Sequence, residues 1–102
     1  MRKDLPLTAG AAAAQAGHAF LDSFLKAPPE LTQAYVTGGG GTKIVLSVQN
    51  ESVLRAAYAA AQDRGFPCAL VLEDDGTPTA LGIGPINRNA AKPITKKFSL
   101  MK

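Results

Sequence analysis

Four consecutive glycines, Gly38–Gly41, interrupt this chain, and no helix or strand runs through such a stretch. Pro28-Pro29 makes a second break upstream. The two breaks leave a long helix at the start, a short helical piece over Glu30–Thr37, and all the β-forming sequence after the glycines. The first helix is predicted from about Thr8 to Lys26, with Thr8 as its N-cap and the prolines as its stop. Helical spacing puts Ala13, Gly17, Phe20, Leu21 and Phe24 on one face, and Ala11, Gln15, His18 and Asp22 on the opposite one.

Beyond the glycines, Ile44, Leu46 and Val48 alternate within Lys43–Val48, which reads as a strand. Asn50 caps a helix over Glu51–Arg64, whose Val53, Leu54, Ala57, Tyr58 and Ala61 form the buried stripe. Gly65 sits where a C-terminal cap glycine belongs. Cys68–Leu72 is a continuous apolar run, typical of a central strand. Glu73–Pro78 is a polar turn, and Thr79–Ile83 is a second strand ended by Gly84-Pro85. A final helical turn or two over 87–92 is expected to stop at Pro93, and Phe98–Met101 to form a terminal strand or packed tail. Helices alternating with strands, around one β–turn–β pair, predict an α/β layered domain on a mixed sheet. No repeat or long linker divides the chain, so residues 1–102 are read as one domain.

The 46% hydrophobic and 19% charged composition is that of a folded globular protein rather than a disordered one. The single cysteine, Cys68, has no internal disulfide partner, which suits a reducing, cytoplasmic setting. No apolar run approaches the ~20 residues that span a membrane. Ala11–Ala14 follows a basic start, but Gln15, Gly17 and His18 interrupt it, against a signal peptide. The net charge of +3, with Arg2 and Lys3 at the start and Arg88, Lys92, Lys96, Lys97 and Lys102 towards the end, is compatible with an RNA partner.

Several chemistries fall away on residue types alone. One His and one Cys cannot make a structural zinc site, and nothing in the pattern signals a metal site built on carboxylates. The nucleophile elbow G-x-S-x-G is absent, and Cys68 lies in an apolar run as a small hydrophobe rather than a nucleophile. The glycine run is not a P-loop, because it lacks the G-x-x-x-x-G-K-[ST] pattern and leads into a strand. Two features remain. His18 and Asp22 lie at i and i+4, with Gln15 one turn earlier, and the plainest reading is a solvated face with one ion pair. The acidic turn Glu73-Asp74-Asp75-Gly76 reads most plainly as backbone chemistry.

Three segments taken in order carry more. Arg2-Lys3-Asp4-Leu5, Gly10, Ala13-Ala14-Gln15 and His18-Ala19 resemble the opening signature of the type II (archaeal and eukaryotic-type) peptidyl-tRNA hydrolase family, R-x-D-L then G-K-x-A-A-Q-x-x-H-A. Lys43-Ile44-Val45-Leu46 and Gly65-Phe66-Pro67 are similar to that family's K-I-V-L strand and G-L-P strand entry. Leu81-Gly82-Ile83-Gly84-Pro85 matches its L-G-I-G-P, and Ile94-Thr95 to Leu100 is similar to its V-T-G-x-L-K-L ending. The resemblance implies a three-layer α/β/α sandwich on a small mixed sheet, with no cofactor. It implies hydrolysis of the ester between a peptide and the 3′ end of tRNA, with tRNA as partner. Asp74 would orient water, Thr77 or Thr79 would hydrogen-bond the substrate, and Gln15, His18 and Gly10 would bind it.

Three departures accompany the resemblance. The family's signature lysine follows the glycine of the first helix, where this chain has Ala11. The family's D-A-G-x-T-Q turn is shortened to Asp74-Asp75-Gly76-Thr77-Pro78-Thr79, without the glutamine. The family's R-x-D-L ends a central strand, whereas Met1 immediately precedes Arg2, so the first strand is largely missing from this sequence. A truncated chain, a misassigned start, or another chain filling the gap would each account for it, and marginal stability or self-association as a homodimer is the expectation. Ala11 and the short turn also support an alternative: a catalytically inactive member that binds tRNA or a protein.

Overall fold

The computed structural model describes residues 1–41 and 43–101. Helix α1 spans Ala9–Lys26 and α2 spans Pro29–Thr37. Thr8 Oγ1 accepts the Ala11 amide at 3.1 Å, which satisfies one of the otherwise orphaned first-turn donors of α1. Pro28 ends that helix region and Pro29, at the start of α2, needs no amide partner there. Gly39, Gly40 and Gly41 then take φ of +85°, +84° and +59°, a backbone region that side chains disfavour.

The remaining elements are β1 (Leu46–Ser47), α3 (Glu51–Asp63), β2 (Cys68–Leu72), β3 (Pro78–Ile83), α4 (Arg88–Thr95) and β4 (Ser99–Leu100). Asn50 Oδ1 caps α3 by accepting the Val53 amide at 3.0 Å, and Gly65 follows its end at φ +72°. β2 and β3 form an antiparallel hairpin, with Cys68 opposite Ile83 and Val71 opposite Ala80. β1 and β4 form a second antiparallel pair, with Leu46 opposite Leu100 and Ser47 opposite Ser99.

Residues 1–3 stitch the two pairs together. The Met1 amine donates to Leu46 O at 2.8 Å, Val48 N to Met1 O at 2.9 Å, and Lys3 N to Val48 O at 2.9 Å. On the other side Arg2 N donates to Thr79 O at 3.1 Å. The Arg2–Val48 bridge is parallel, an isolated contact beside two antiparallel pairs, where one mixed sheet was expected. The Arg2 guanidinium locks this junction. It donates to both Asp4 carboxylate oxygens, at 2.9 and 2.7 Å, and to Pro78 O at 3.1 Å, and it lies 3.6 Å from Glu51. The R-x-D-L segment therefore does structural work here.

Alternation along the strands makes the three layers. Val71 and Ala80 pack with Met1 and Ala19 on the α1 side of the sheet. Cys68, Leu81 and Ile83 pack with Ala57, Ala61 and Ile94 on the side of α3 and α4. Cys68 is buried, and burial raises the pKa of its thiol.

One packing detail of α1 goes beyond the sequence reading, and three expectations need correction. The face of α1 that packs against the sheet is made of Ala12, Ala16, Ala19 and Ser23, while Ala13, Gly17 and Leu21 are exposed. Gly82 allows this: a Cβ there would collide with the Ala19 carbonyl and meet Ser23 Cβ at 3.0 Å, so helix and strand backbones touch. Ser23 fastens the contact by hydrogen-bonding to the Pro67 and Gly84 carbonyls. The predicted strand over Lys43–Val48 is regular only at Leu46–Ser47, with a bridge at Val48, because its neighbours are equally short. The last helix continues through Pro93 to Thr95. Only about one turn precedes that proline, and burial of Ile94 offsets the lost amide bond. Finally, no ion pair joins His18 and Asp22 among the described residues.

Candidate active site

A cleft of about 760 Å³ opens between α1 and the β2 end of the hairpin. Its α1 wall is Gln15, His18 and Asp22, successive on one helix face. Its other wall is Leu70, Val71 and Leu72 of β2, continuing into Glu73, Asp74 and Asp75 of the turn. The hairpin therefore brings Asp74 against the polar stripe of α1 from a distant part of the sequence.

The three turn acids differ in what holds them. Asp75 Oδ1 accepts the Thr77 amide at 2.9 Å, which closes the turn. That amide first, then the Thr77 hydroxyl, holds the Asp75 carboxyl below its ordinary value of 3.8. Glu73 N donates to Thr77 O at 2.9 Å, and Gly76, at φ +87°, donates to Glu73 O at 2.8 Å. Asp74 has no side-chain hydrogen bond among the described residues and lines the cleft.

The two threonines sit differently from each other. Thr77 belongs to the turn and does not line the cleft. Thr79 is 0% exposed, beneath Gln15, and donates its hydroxyl to Gln15 Oε1 at 2.9 Å. Its alternative acceptor, Val71 O, is more distant at 3.4 Å. A hydroxyl that faces the Gln15 oxygen fixes which end of the amide turns inward, so Nε2 is left to donate towards the cleft. Gly10 lies in the first turn of α1 and is not among the cleft residues. Sequence reasoning missed Asp22, Glu73 and Asp75 as cleft residues; the acidic turn and the i, i+4 spacing were the available signals.

Electrostatically the cleft is acidic. Four carboxylates and one imidazole line it, and no Lys or Arg does among the described residues. Among those residues no group of three or more His, Cys, Asp and Glu side chains is arranged to hold a metal ion. No described helix is long and apolar enough to cross a membrane.

The fold and this cleft define a class: three-layer α/β/α domains that place carboxylates and a helix-borne glutamine around an open pocket. The chain matches the family described as peptidyl-tRNA hydrolase PTH2 along residues 1–101, and it belongs to that family. It is 34% identical over 110 aligned residues to the peptidyl-tRNA hydrolase of Methanococcus maripaludis, covering 99% of this chain and 94% of that protein. The peptidyl-tRNA hydrolase of Methanocaldococcus jannaschii is 31% identical, covering 99% and 95% of the two chains. A probable peptidyl-tRNA hydrolase 2 of Schizosaccharomyces pombe is 37% identical, covering 98% of this chain and 53% of its own length.

Proposed function

We propose that this chain hydrolyses the ester joining a peptide to the 3′ end of tRNA, in a cytoplasmic setting, using the cleft between α1 and the acidic turn. The observation that carries the reading is the convergence of Gln15, His18 and Asp74 on one cleft, in a member of this family. Asp74, unengaged by the turn, accepts a hydrogen bond from the attacking water and orients it. As water adds to the carbonyl, negative charge develops on the carbonyl oxygen, and Gln15 Nε2 donates to it. Thr79 is a positioning residue for Gln15 rather than a substrate ligand. The carbonyl–oxygen bond to the ribose then breaks, leaving a peptide carboxylate and a free 3′ hydroxyl on the tRNA. His18, exposed at the rim, shapes the entrance.

The test is hydrolysis of a peptidyl-tRNA by the purified protein beside its Asp74→Ala variant. The expected loss is about 10²–10³-fold in kcat. Equal rates in the two proteins would remove Asp74 from the mechanism, and an inactive parent would sink the reading.

A second reading rests on the charge of the cleft. With Ala11 where a cation would supply charge stabilisation, and no Lys or Arg lining the cleft among the described residues, the chain would bind tRNA or a protein without turnover. Ala11→Lys separates the two. Raised hydrolysis supports a weakened active site, and no change supports the binding role.

A further inference from the structure

Charge is segregated along this chain. All eight Asp and Glu side chains lie at or before position 75, and every charged side chain after it is a cation. Four of those carboxylates line the cleft, which therefore repels phosphates. If the chain acts on tRNA, the RNA backbone must be held elsewhere.

Arg88, Lys92 and Lys96 recur at intervals of four from the first residue of α4 to its C-cap, and so form one row of cations about 6 Å apart. All three are exposed. None makes an ion pair or a side-chain hydrogen bond among the described residues. They edge one concavity together with Lys43, whose ammonium lies 5.2 Å from the Tyr35 ring centre. Locally the arrangement is unfavourable. Like charges at i, i+4 repel, and Arg88 opposes the helix dipole at the N-terminal end. No acidic residue on α4 compensates. A polyanionic ligand turns that repulsion into binding energy by releasing its condensed counterions.

We infer that the Arg88–Lys92–Lys96 row of α4, with Lys43 beside it, is the surface that holds the sugar–phosphate backbone of the tRNA. This inference rests on the hydrolase reading for its choice of RNA, and its test does not require turnover. Binding of deacylated tRNA is measured by fluorescence anisotropy across a salt series, with peptidyl-tRNA hydrolysis scored in parallel. The variant Arg88→Gln/Lys92→Gln/Lys96→Gln retains helix-compatible stems. The control Lys3→Gln/Lys26→Gln/Arg64→Gln removes the same charge elsewhere.

The α4 variant is expected to flatten the logarithmic salt slope by about 3, to weaken binding at least ~10-fold near 0.1 M salt, and to raise KM with kcat retained. Its circular dichroism and melting curve should match the parent. The control should keep most of the parental slope. Equal losses in both variants would reduce the effect to net charge and overturn the inference. So would parental binding by the α4 variant, which leaves the hydrolase reading intact. Binding through α4 without any hydrolysis would do the reverse: the surface stands and the hydrolase reading falls. A parent that binds no tRNA overturns the surface.

Discussion

Asp4 and Asp75 spend their carboxylates on structure, one in the Arg2 clamp and one in the hairpin turn. Both are held below their ordinary value of 3.8, Asp4 by Arg2 and Asp75 by the amide and hydroxyl of Thr77. The unfolded chain therefore takes up these protons first as pH falls. The stability they contribute is complete above 3.8 and drains away as pH drops through the lower folded values. Urea midpoints should fall on the acid side of 3.8, and an Asp4→Asn/Asp75→Asn variant should be weaker at neutral pH with a shallower acid-side decline. Identical acid-side slopes would assign the transition to other carboxylates. Spacing to Gly76 singles out Asp74 as the match to the family's aspartate, and among the described residues the turn's side-chain hydrogen bond goes to Asp75. Spacing cannot choose between Thr77 and Thr79. Only the fold shows one in a turn and the other buried under Gln15.

At the scale of elements, helix and strand positions were largely legible because their caps and breakers are local. Thr8, Asn50, Gly65 and the prolines each act on backbone within a few residues. The buried face of α1 was not legible. Hydropathy favours Phe20, Phe24 and Leu21, yet the sheet takes alanines, because what decides is the absent side chain of Gly82, far away in sequence. Gly82→Ala should therefore cost about 3 kcal/mol or more, since the obstruction is backbone that cannot swing aside. Gly17→Ala is the matched control. Gly17 is exposed, with nothing near its missing Cβ, so that change should stabilise the helix by about 0.5–1 kcal/mol. Urea unfolding of both variants checks the pair. A tolerated Gly82→Ala would mean that α1 can lift from β3 cheaply.

For the whole molecule, the weak point is the seam between the two strand pairs. The Gly84 N to Pro67 O bond of 2.7 Å sets the ladder phase, so Gly82 and Ala80 bond across to β2. Leu81 and Ile83 then turn their amides and carbonyls the other way, towards β1. Only residues 1–3 bridge that interval, and the Leu81 and Ile83 backbone groups have no partner on that side among the described residues. A cavity of about 750 Å³ lies there, edged by Leu46, Val48, Leu54, Leu81 and Ile83. Unpaired strand edges beside apolar surface favour pairing with another chain, or cost stability when left open. The protein of this sequence should therefore show either mass that rises with concentration in sedimentation or a low melting temperature. Charged substitution of exposed Leu100, which edges this cavity, should suppress any association more than substitution of exposed Leu25 at the end of α1. A concentration-independent monomer melting above ~65 °C would show that three residues of backbone pairing suffice to close the sheet.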